Sequence, residues 1–195
     1  MDLASPEGWH KHPALVLEFY NERRAKAWAA QPNAAHRAIA ALEQKFEVVV
    51  VTQNVDNLHE RAGSSRVLHL HGELCFARGT GPSRKRQRID GAPVAMGQKC
   101  AEGTQLRPDI VWFGEETQHM EEAREQVESA DKVLVVGTSL SVYPAASLVE
   151  FARADAEKVL NSLEMDELPA GFRFMPGRAT EVVPAITASW SAAVR

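Results

Sequence analysis

Phe46-Glu47-Val48-Val49-Val50-Val51-Thr52 is a β-branched run with no polar alternation. A strand with one wet face alternates apolar and polar residues, so this run predicts a strand covered on both faces, as in a parallel sheet flanked by helices. Val67-Leu68-His69-Leu70 predicts a short second strand. Val133-Leu134-Val135-Val136-Gly137 predicts a third, buried strand, and Glu157-Lys158-Val159-Leu160-Asn161 a fourth. Helices are expected over residues 12–30, where Leu15, Val16, Phe19, Tyr20, Ala27 and Trp28 recur near helical spacing, over 34–44, and over 120–130. Strands alternating with helices predict an α/β fold around a parallel sheet. Ligands of such sheets bind beyond the carboxyl ends of the strands. Those ends are Thr52-Gln53-Asn54, His69-Leu70-His71, Gly137-Thr138-Ser139 and Asn161-Ser162.

Composition narrows the function classes. The 195 residues are 45% hydrophobic and 25% charged, enough for one good core with a small appendage. A net charge of −4 gives no reason to expect nucleic acid as a partner. No apolar stretch approaches the roughly 20 residues of a membrane span, and Met1-Asp2-Leu3-Ala4-Ser5-Pro6 lacks the charged start and apolar core of a leader. A cytoplasmic protein without a membrane partner is expected. Cys75 and Cys100 are too few for a disulfide scaffold or a four-thiolate zinc site, and both are read as free thiols. Between 75 and 107 the periodicity lapses among seven Gly and Pro residues, and Arg84-Lys85-Arg86-Gln87-Arg88 reads as a solvated loop within an excursion from the sheet.

The strand ends carry specific motifs. Thr52-Gln53-Asn54-Val55-Asp56-Asn57-Leu58-His59, Arg61-Ala62-Gly63 and Leu70-His71-Gly72-Glu73 follow one another in the order and spacing of the sirtuin pattern. Leu106-Arg107-Pro108-Asp109-Ile110-Val111-Trp112-Phe113-Gly114-Glu115 resembles that family's substrate loop. Gly137-Thr138-Ser139-Leu140-Ser141-Val142-Tyr143-Pro144-Ala145-Ala146 is similar to its second cofactor loop. The chain thus resembles a sirtuin, an NAD-dependent protein-lysine deacylase.

The resemblance implies a division of labour. NAD is the cofactor and acylated lysines of proteins are the partners. Gln53, Asn54, Val55 and Asp56 would hold the nicotinamide and its ribose, and His71 would act as general base near neutral pH, with Asn54 and Asp56 as its catalytic companions. Gly137, Thr138 and Ser139 would reach a phosphate or ribose, Asn161 the adenosine ribose, and Ala179 the adenine. Val111, Phe113, Gly114, Glu115 and Val142 would flank a substrate peptide recognised through its main chain. Alone, a histidine at a strand end is more often a hydrogen-bonded structural residue; His71 is set apart by the motif around it, whereas His59 and His69 are assigned structural roles. Phe19-Tyr20-Asn21-Glu22-Arg23-Arg24 resembles the Tyr-x-x-Arg feature of class III sirtuins, which accept succinyl- and malonyl-lysine. Tyr20 and Arg23 share a helix face, and a hydroxyl with a guanidinium suits a carboxylate.

Two departures from the family pattern follow. Most sirtuins bind structural zinc through two C-x-x-C pairs, whereas this stretch holds only Cys75 and Cys100, with Lys99 and Glu102 near the second pair's place, so no zinc is predicted. The Gly-Ala-Gly-x-Ser loop and the strand before it have no counterpart. The match begins at Leu3-Ala4-Ser5-Pro6-Glu7, as expected of a piece of a longer sirtuin or of a degenerate relative. With that first strand missing, Val133–Val136 and Phe46–Val51 would lose a neighbour and leave an apolar edge exposed. The expected layout is a Rossmann-like parallel sheet carrying a small inserted helical and irregular module. Residues 1–36 would form the helical part of the module, 37–74 and 108–195 the two Rossmann-like segments, and 75–107 the loop-rich part in the zinc-ribbon position. Two readings compete with the deacylase: a non-catalytic module that binds acyl-lysine or a protein, and an NAD-cleaving or ADP-ribosylating enzyme.

Overall fold

The computed structural model describes residues 3–193. Its elements run α1 (Pro6–Lys11), α2 (Pro13–Ala29), α3 (Ala34–Ala41), β1 (Val50–Thr52), α4 (Leu58–Ala62), β2 (Val67–His69), β3 (Gly72–Gly79), β4 (Arg86–Arg88), β5 (Leu106–Ile110), α5 (Met120–Ser129), β6 (Lys132–Val136), β7 (Glu157–Ser162), β8 (Arg173–Pro176) and α6 (Ala179–Ala193). Two compact units share them, one comprising residues 1–31, 52–57 and 69–118, the other 32–51, 58–68 and 119–195.

The second unit holds the parallel sheet. Its order is β6-β7-β8, with Val135 opposite Leu160 and Asn161 opposite Met175. Leu42, Val159, Ile186 and Trp190 form its core, so α6 closes on β7 and α3 packs on α6. Asn33 caps α3 by accepting from the Ala35 and His36 amides. β1 pairs with β2 in a separate two-stranded sheet, where the Val50 amide donates to the Arg66 carbonyl at 3.0 Å. The α/β expectation therefore holds, with three adjustments. The strand read over 46–52 begins only at Val50; Phe46 and Val48 instead pack onto the α6 core without a ladder partner. β8 is a strand that its sequence Arg-Phe-Met-Pro does not announce. Finally, β6 borders its sheet and is half-buried at every residue, not buried throughout.

The first unit is an antiparallel sheet, β4-β3-β5, packed against α1 and α2. The excursion expected between 75 and 107 is mostly turns and loops, but strands enter it at both ends and at β4, with Arg78 opposite Arg86 and Arg107. Its pattern was hidden because the β3–β5 register shifts between Glu73 and Ala77. The basic run is likewise no simple loop, since Arg86–Arg88 is the edge strand β4. Arg86 bonds the Glu73 carboxylate at 2.6 Å and lies 4.1 Å from the Phe76 ring centroid. Two apolar clusters sandwich α2. One gathers Val16, Tyr20, Leu74, Ile110 and Trp112; the other gathers Leu17, Ala77, Val94 and Leu106. Two covered sides explain why the helix buries Leu17 and Arg24, while Leu15 and Trp28, read as core-facing, are exposed.

Candidate functional site

Residues 52–57 leave β1 as a polar turn whose backbone is held at three points. The Asn54 amide donates to the Thr52 hydroxyl at 3.0 Å, the Leu70 amide to the Thr52 carbonyl at 2.9 Å, and the Leu74 amide to the Val55 carbonyl at 2.7 Å. Gln53, Val55 and Asp56 are half-buried and Asn54 is exposed. His71 lies between β2 and β3, half-buried, its Nδ1 3.2 Å from the Gln53 carbonyl oxygen. A carbonyl oxygen only accepts, so Nδ1 is the protonated nitrogen and Nε2 carries the free lone pair. His69, read as structural, is buried, with Nδ1 3.1 Å from the Asn54 carbonyl and Nε2 3.9 Å from Glu73. Of the sequence-predicted residues, His71 is thereby brought against Gln53, with Asn54 and Asp56 following in the same turn.

The glycine after His71 has a steric reason. Gly72 has φ +79°, and a Cβ there would stand 2.0 Å from the Asp109 carbonyl oxygen. Beyond Asp109, the Val111 amide donates to the His71 carbonyl at 2.9 Å, tying the segment after β5 to the histidine. In that segment Trp112 enters the core, Phe113 is 69% exposed and Gly114 has φ +90°. The Phe113 amide is fixed to the Ala4 carbonyl at 3.0 Å. Glu115 is an internal anchor: its carboxylate accepts from Arg107 at 2.8 and 2.9 Å, from Arg78 at 3.2 Å and from the Trp112 amide at 2.9 Å. Burial pushes this carboxyl up, but the Arg107 hydrogen bond, the Trp112 amide and the Arg107 and Arg78 charges outweigh it and leave it below its ordinary value. Asp109 goes the other way, because its burial outweighs the pull of Arg78 and Arg86. Sequence reasoning missed this cluster of Arg78, Arg86, Arg107, Glu73 and Asp109; Arg107 and Asp109, two apart on β5, were its one local signal.

On α2, Tyr20 is buried and packs edge-on to Phe19 at 5.0 Å, while Arg23 is exposed, 5.4 Å from the Phe19 ring centroid.

In the other unit, Gly137, Thr138 and Ser139 follow β6. The Gly137 amide is taken by the Asn161 carbonyl at 2.8 Å, the Thr138 hydroxyl accepts from the Leu140 amide at 3.1 Å, and the exposed Ser139 hydroxyl meets that of Ser141 at 2.7 Å. Gly137 itself has φ +64° and open space where a Cβ would be. Asn161, at the end of β7, donates through Nδ2 to the Met175 and Gly177 carbonyls at 2.7 and 3.1 Å. Its Oδ1 is buried with no hydrogen-bond partner. Ala179 opens α6, and Val142 is exposed.

Cys75 does not fit a zinc ion. Cys75 is buried in β3 with Sγ donating to Glu73 at 3.6 Å, and burial together with the Glu73 charge pushes its thiol up to about 12. Zinc needs the thiolate. Cys100 is engaged differently, its Sγ 3.2 Å from the Thr104 hydroxyl. Around it the turn is closed by side-chain amides: the Gln98 Oε1 accepts from the Ala95 amide, the Gln105 Oε1 from the Gly97 amide, and the Gln105 Nε2 donates to the Ala95 carbonyl.

Parallel strands ending in polar, glycine-containing turns, joined in one chain to an antiparallel module, make this an α/β protein of Rossmann-like type. The Sir2 family pattern matches residues 1–144. An NAD-dependent protein deacylase of Helicobacter pylori is 49% identical over 156 residues, covering 80% of this chain and 66% of that protein. A crystal structure of a Sir2 homolog–NAD complex superimposes with a TM-score of 0.88 at 37% identity, covering 99% of this chain and 78% of that one. A Sir2–p53 peptide–NAD+ structure matches with a TM-score of 0.78 at 28% identity, over 96% of this chain and 82% of that one. The chain belongs to the Sir2 family, the sirtuin NAD-dependent protein deacylases.

Proposed function

We propose that this chain acts in the cytoplasm as an NAD-dependent protein-lysine deacylase that removes succinyl, malonyl and acetyl groups, giving nicotinamide and 2′-O-acyl-ADP-ribose. The observation that carries the reading is His71: its Nδ1 is fixed by the Gln53 carbonyl at 3.2 Å, which leaves Nε2 as a base beside the Asn54–Asp56 turn. NAD supplies a ribose carbon whose leaving group is already cationic, so the protein's task is orientation more than acid catalysis. Gln53 and Asp56 hold ribose and nicotinamide polar groups, Asn54 offers an exposed amide at the strand end, and Val55 fixes the turn through its bond from Leu74. His71 Nε2 takes the proton of a ribose hydroxyl.

The buried, unpartnered Oδ1 of Asn161 fits a hydroxyl donor such as that of an adenosine ribose. The glycine turn at 137–139 supplies hydroxyls for a phosphate or ribose, and Ala179 leaves room for an adenine. Substrate peptide is recognised by main-chain strand addition along Val111, Phe113, Gly114 and Val142, with Glu115 holding the first of these loops in shape. Exposed Phe113 supports this, since a large apolar side chain left in water at the tip of a braced loop suits contact with a partner. Tyr20 and Arg23 receive an acyl carboxylate. The p53 peptide bound in the similar Sir2 structure supports a peptide as partner. No zinc takes part in this reading.

The test incubates the chain with succinyl-lysine or acetyl-lysine peptides, with and without NAD. Peptide-dependent nicotinamide release that disappears in His71→Ala is expected. Release without any peptide would favour the NAD-cleaving reading, and saturable peptide binding without turnover would favour a non-catalytic binding module.

A further inference from the structure

Helix α2 carries adjacent arginines in opposite surroundings. Arg23 is exposed, whereas Arg24 is only 1% exposed and burial lowers it to about 10. No ion pair to Arg24 exists among the described residues, and its Nη2 is buried without a hydrogen-bond partner. A buried cation without a counter-charge costs stability, so its remaining bonds must offset that cost. Two do: Nε donates to the Leu74 carbonyl at 2.6 Å, and Nη1 to the Asn21 Oδ1 at 2.6 Å.

Both bonds continue beyond the pair. Asn21 Nδ2 donates to the Val94 carbonyl at 2.9 Å, and its Oδ1 accepts from the Val94 amide at 2.9 Å, so the side chain stands in for a strand neighbour. Leu74, whose carbonyl receives Arg24, donates its own amide to Val55 at 2.7 Å. Val55 lies between Asn54 and Asp56. A continuous hydrogen-bonded path thus runs from α2 through one residue of β3 into the turn that carries the nicotinamide-handling side chains. One helical turn spans Tyr20, Asn21, Arg23 and Arg24, so whatever fixes Arg24 also fixes the acyl-recognition pair.

We propose that Arg24, braced by Asn21, is a positioning residue that holds Tyr20 and Arg23 in register with the Asn54–Asp56 turn through Leu74. This rests on the reading of Tyr20 and Arg23 as the acyl-carboxylate pair. Lysine cannot replace it, because a single ammonium on a flexible stem lacks the planar fork that reaches both acceptors at once. A purely structural tie would weaken the binding of every peptide alike. A positioning residue changes the ratio between an acyl group that reaches Tyr20 and Arg23 and one too short to do so.

The experiment measures binding of succinyl-lysine and acetyl-lysine peptides, with NAD present, to the full chain and to Arg24→Lys. Hydrogen exchange of the Leu74 amide is followed by NMR in the same samples. The expected result is an about tenfold loss of succinyl-peptide affinity, an acetyl-peptide affinity held within about twofold, and about tenfold faster Leu74 exchange. With a succinyl-preferring parent, an unchanged ratio overturns the proposal whatever the exchange rate does. A parent with no succinyl preference overturns the acyl reading of Tyr20 and Arg23 instead; the brace itself is then decided by Leu74 exchange, and unchanged protection sinks it. Should Arg24→Lys not fold, Asn21→Ala, which removes the second acceptor together with both Val94 bonds, is read by the same criteria.

Discussion

Glu115→Ala should be strongly destabilising in the antiparallel unit. The Glu115 carboxylate bonds Arg107 twice, Arg78 once and the Trp112 amide once. The Arg107 side chain is 7% exposed and its guanidinium stacks 3.2 Å from the Trp112 ring centroid, so it cannot turn to water when its partner goes. Removing one member of a buried pair costs about 3–5 kcal/mol. Here the lower end applies: the Glu115 side chain is itself 18% exposed, and Arg107 keeps its bond to the Ile110 carbonyl at 2.7 Å. A loss of about 3 kcal/mol follows, a fall in melting temperature of roughly 6–12 °C for a chain of this size. Urea unfolding followed by circular dichroism and tryptophan fluorescence measures it, with Asp131→Ala as the comparison. Asp131 pairs with Arg153 at 3.2 Å on the exposed surface, where a pair contributes about 0–1 kcal/mol. If Glu115→Ala destabilises no more than Asp131→Ala, the claim that this cluster braces the loop after β5 is wrong.

Acid should reveal the same carboxylate. Its folded pKa lies below the ordinary glutamate value of 4.5, so its contribution is complete above about 4.5 and fades as pH falls through the folded value; Glu115→Gln should flatten that part of the stability–pH curve. Asp109 is raised, so its ionisation opposes folding at neutral pH, and Asp109→Asn should lack the relief that protonation brings as pH falls toward its ordinary 3.8. Chelator treatment should leave the melting temperature unchanged, because the Cys75 thiol is held protonated; a fall on metal removal, reversed by added zinc, would show that the thiols find ligands after all.

The residues that were legible in the sequence are those whose signal is local. Gln53 and His71 meet within one short stretch, where a strand, a polar turn and a His-Gly pair set the neighbourhood of both. The Glu115 anchor was harder to see, because its meaning depends on Arg78, which lies 37 residues earlier and reaches it at 3.2 Å. Arg24 was harder still: in sequence it is the second of two arginines on a polar stretch, and only the Leu74 carbonyl, 50 residues away, makes it interior. The sheet between 72 and 110 escaped because its period breaks at the register shift and because its charges, paired across strands, look like a solvated run. β8 escaped because a four-residue strand ending in proline leaves too short a pattern to detect.

Gly72 bears on how variants of this chain should be interpreted. Its missing side chain lets the backbone at 72 approach Asp109 so closely that a methyl group would sit 2.0 Å from a carbonyl oxygen. Two positions after Asp109, the Val111 amide is bonded to His71. An alanine at 72 would therefore act as a wedge, prying β5 and the loop after it away from the histidine while leaving every polar group of the motif in place. Loss of turnover in such a variant would report a displaced loop, and would say nothing about whether the imidazole still works.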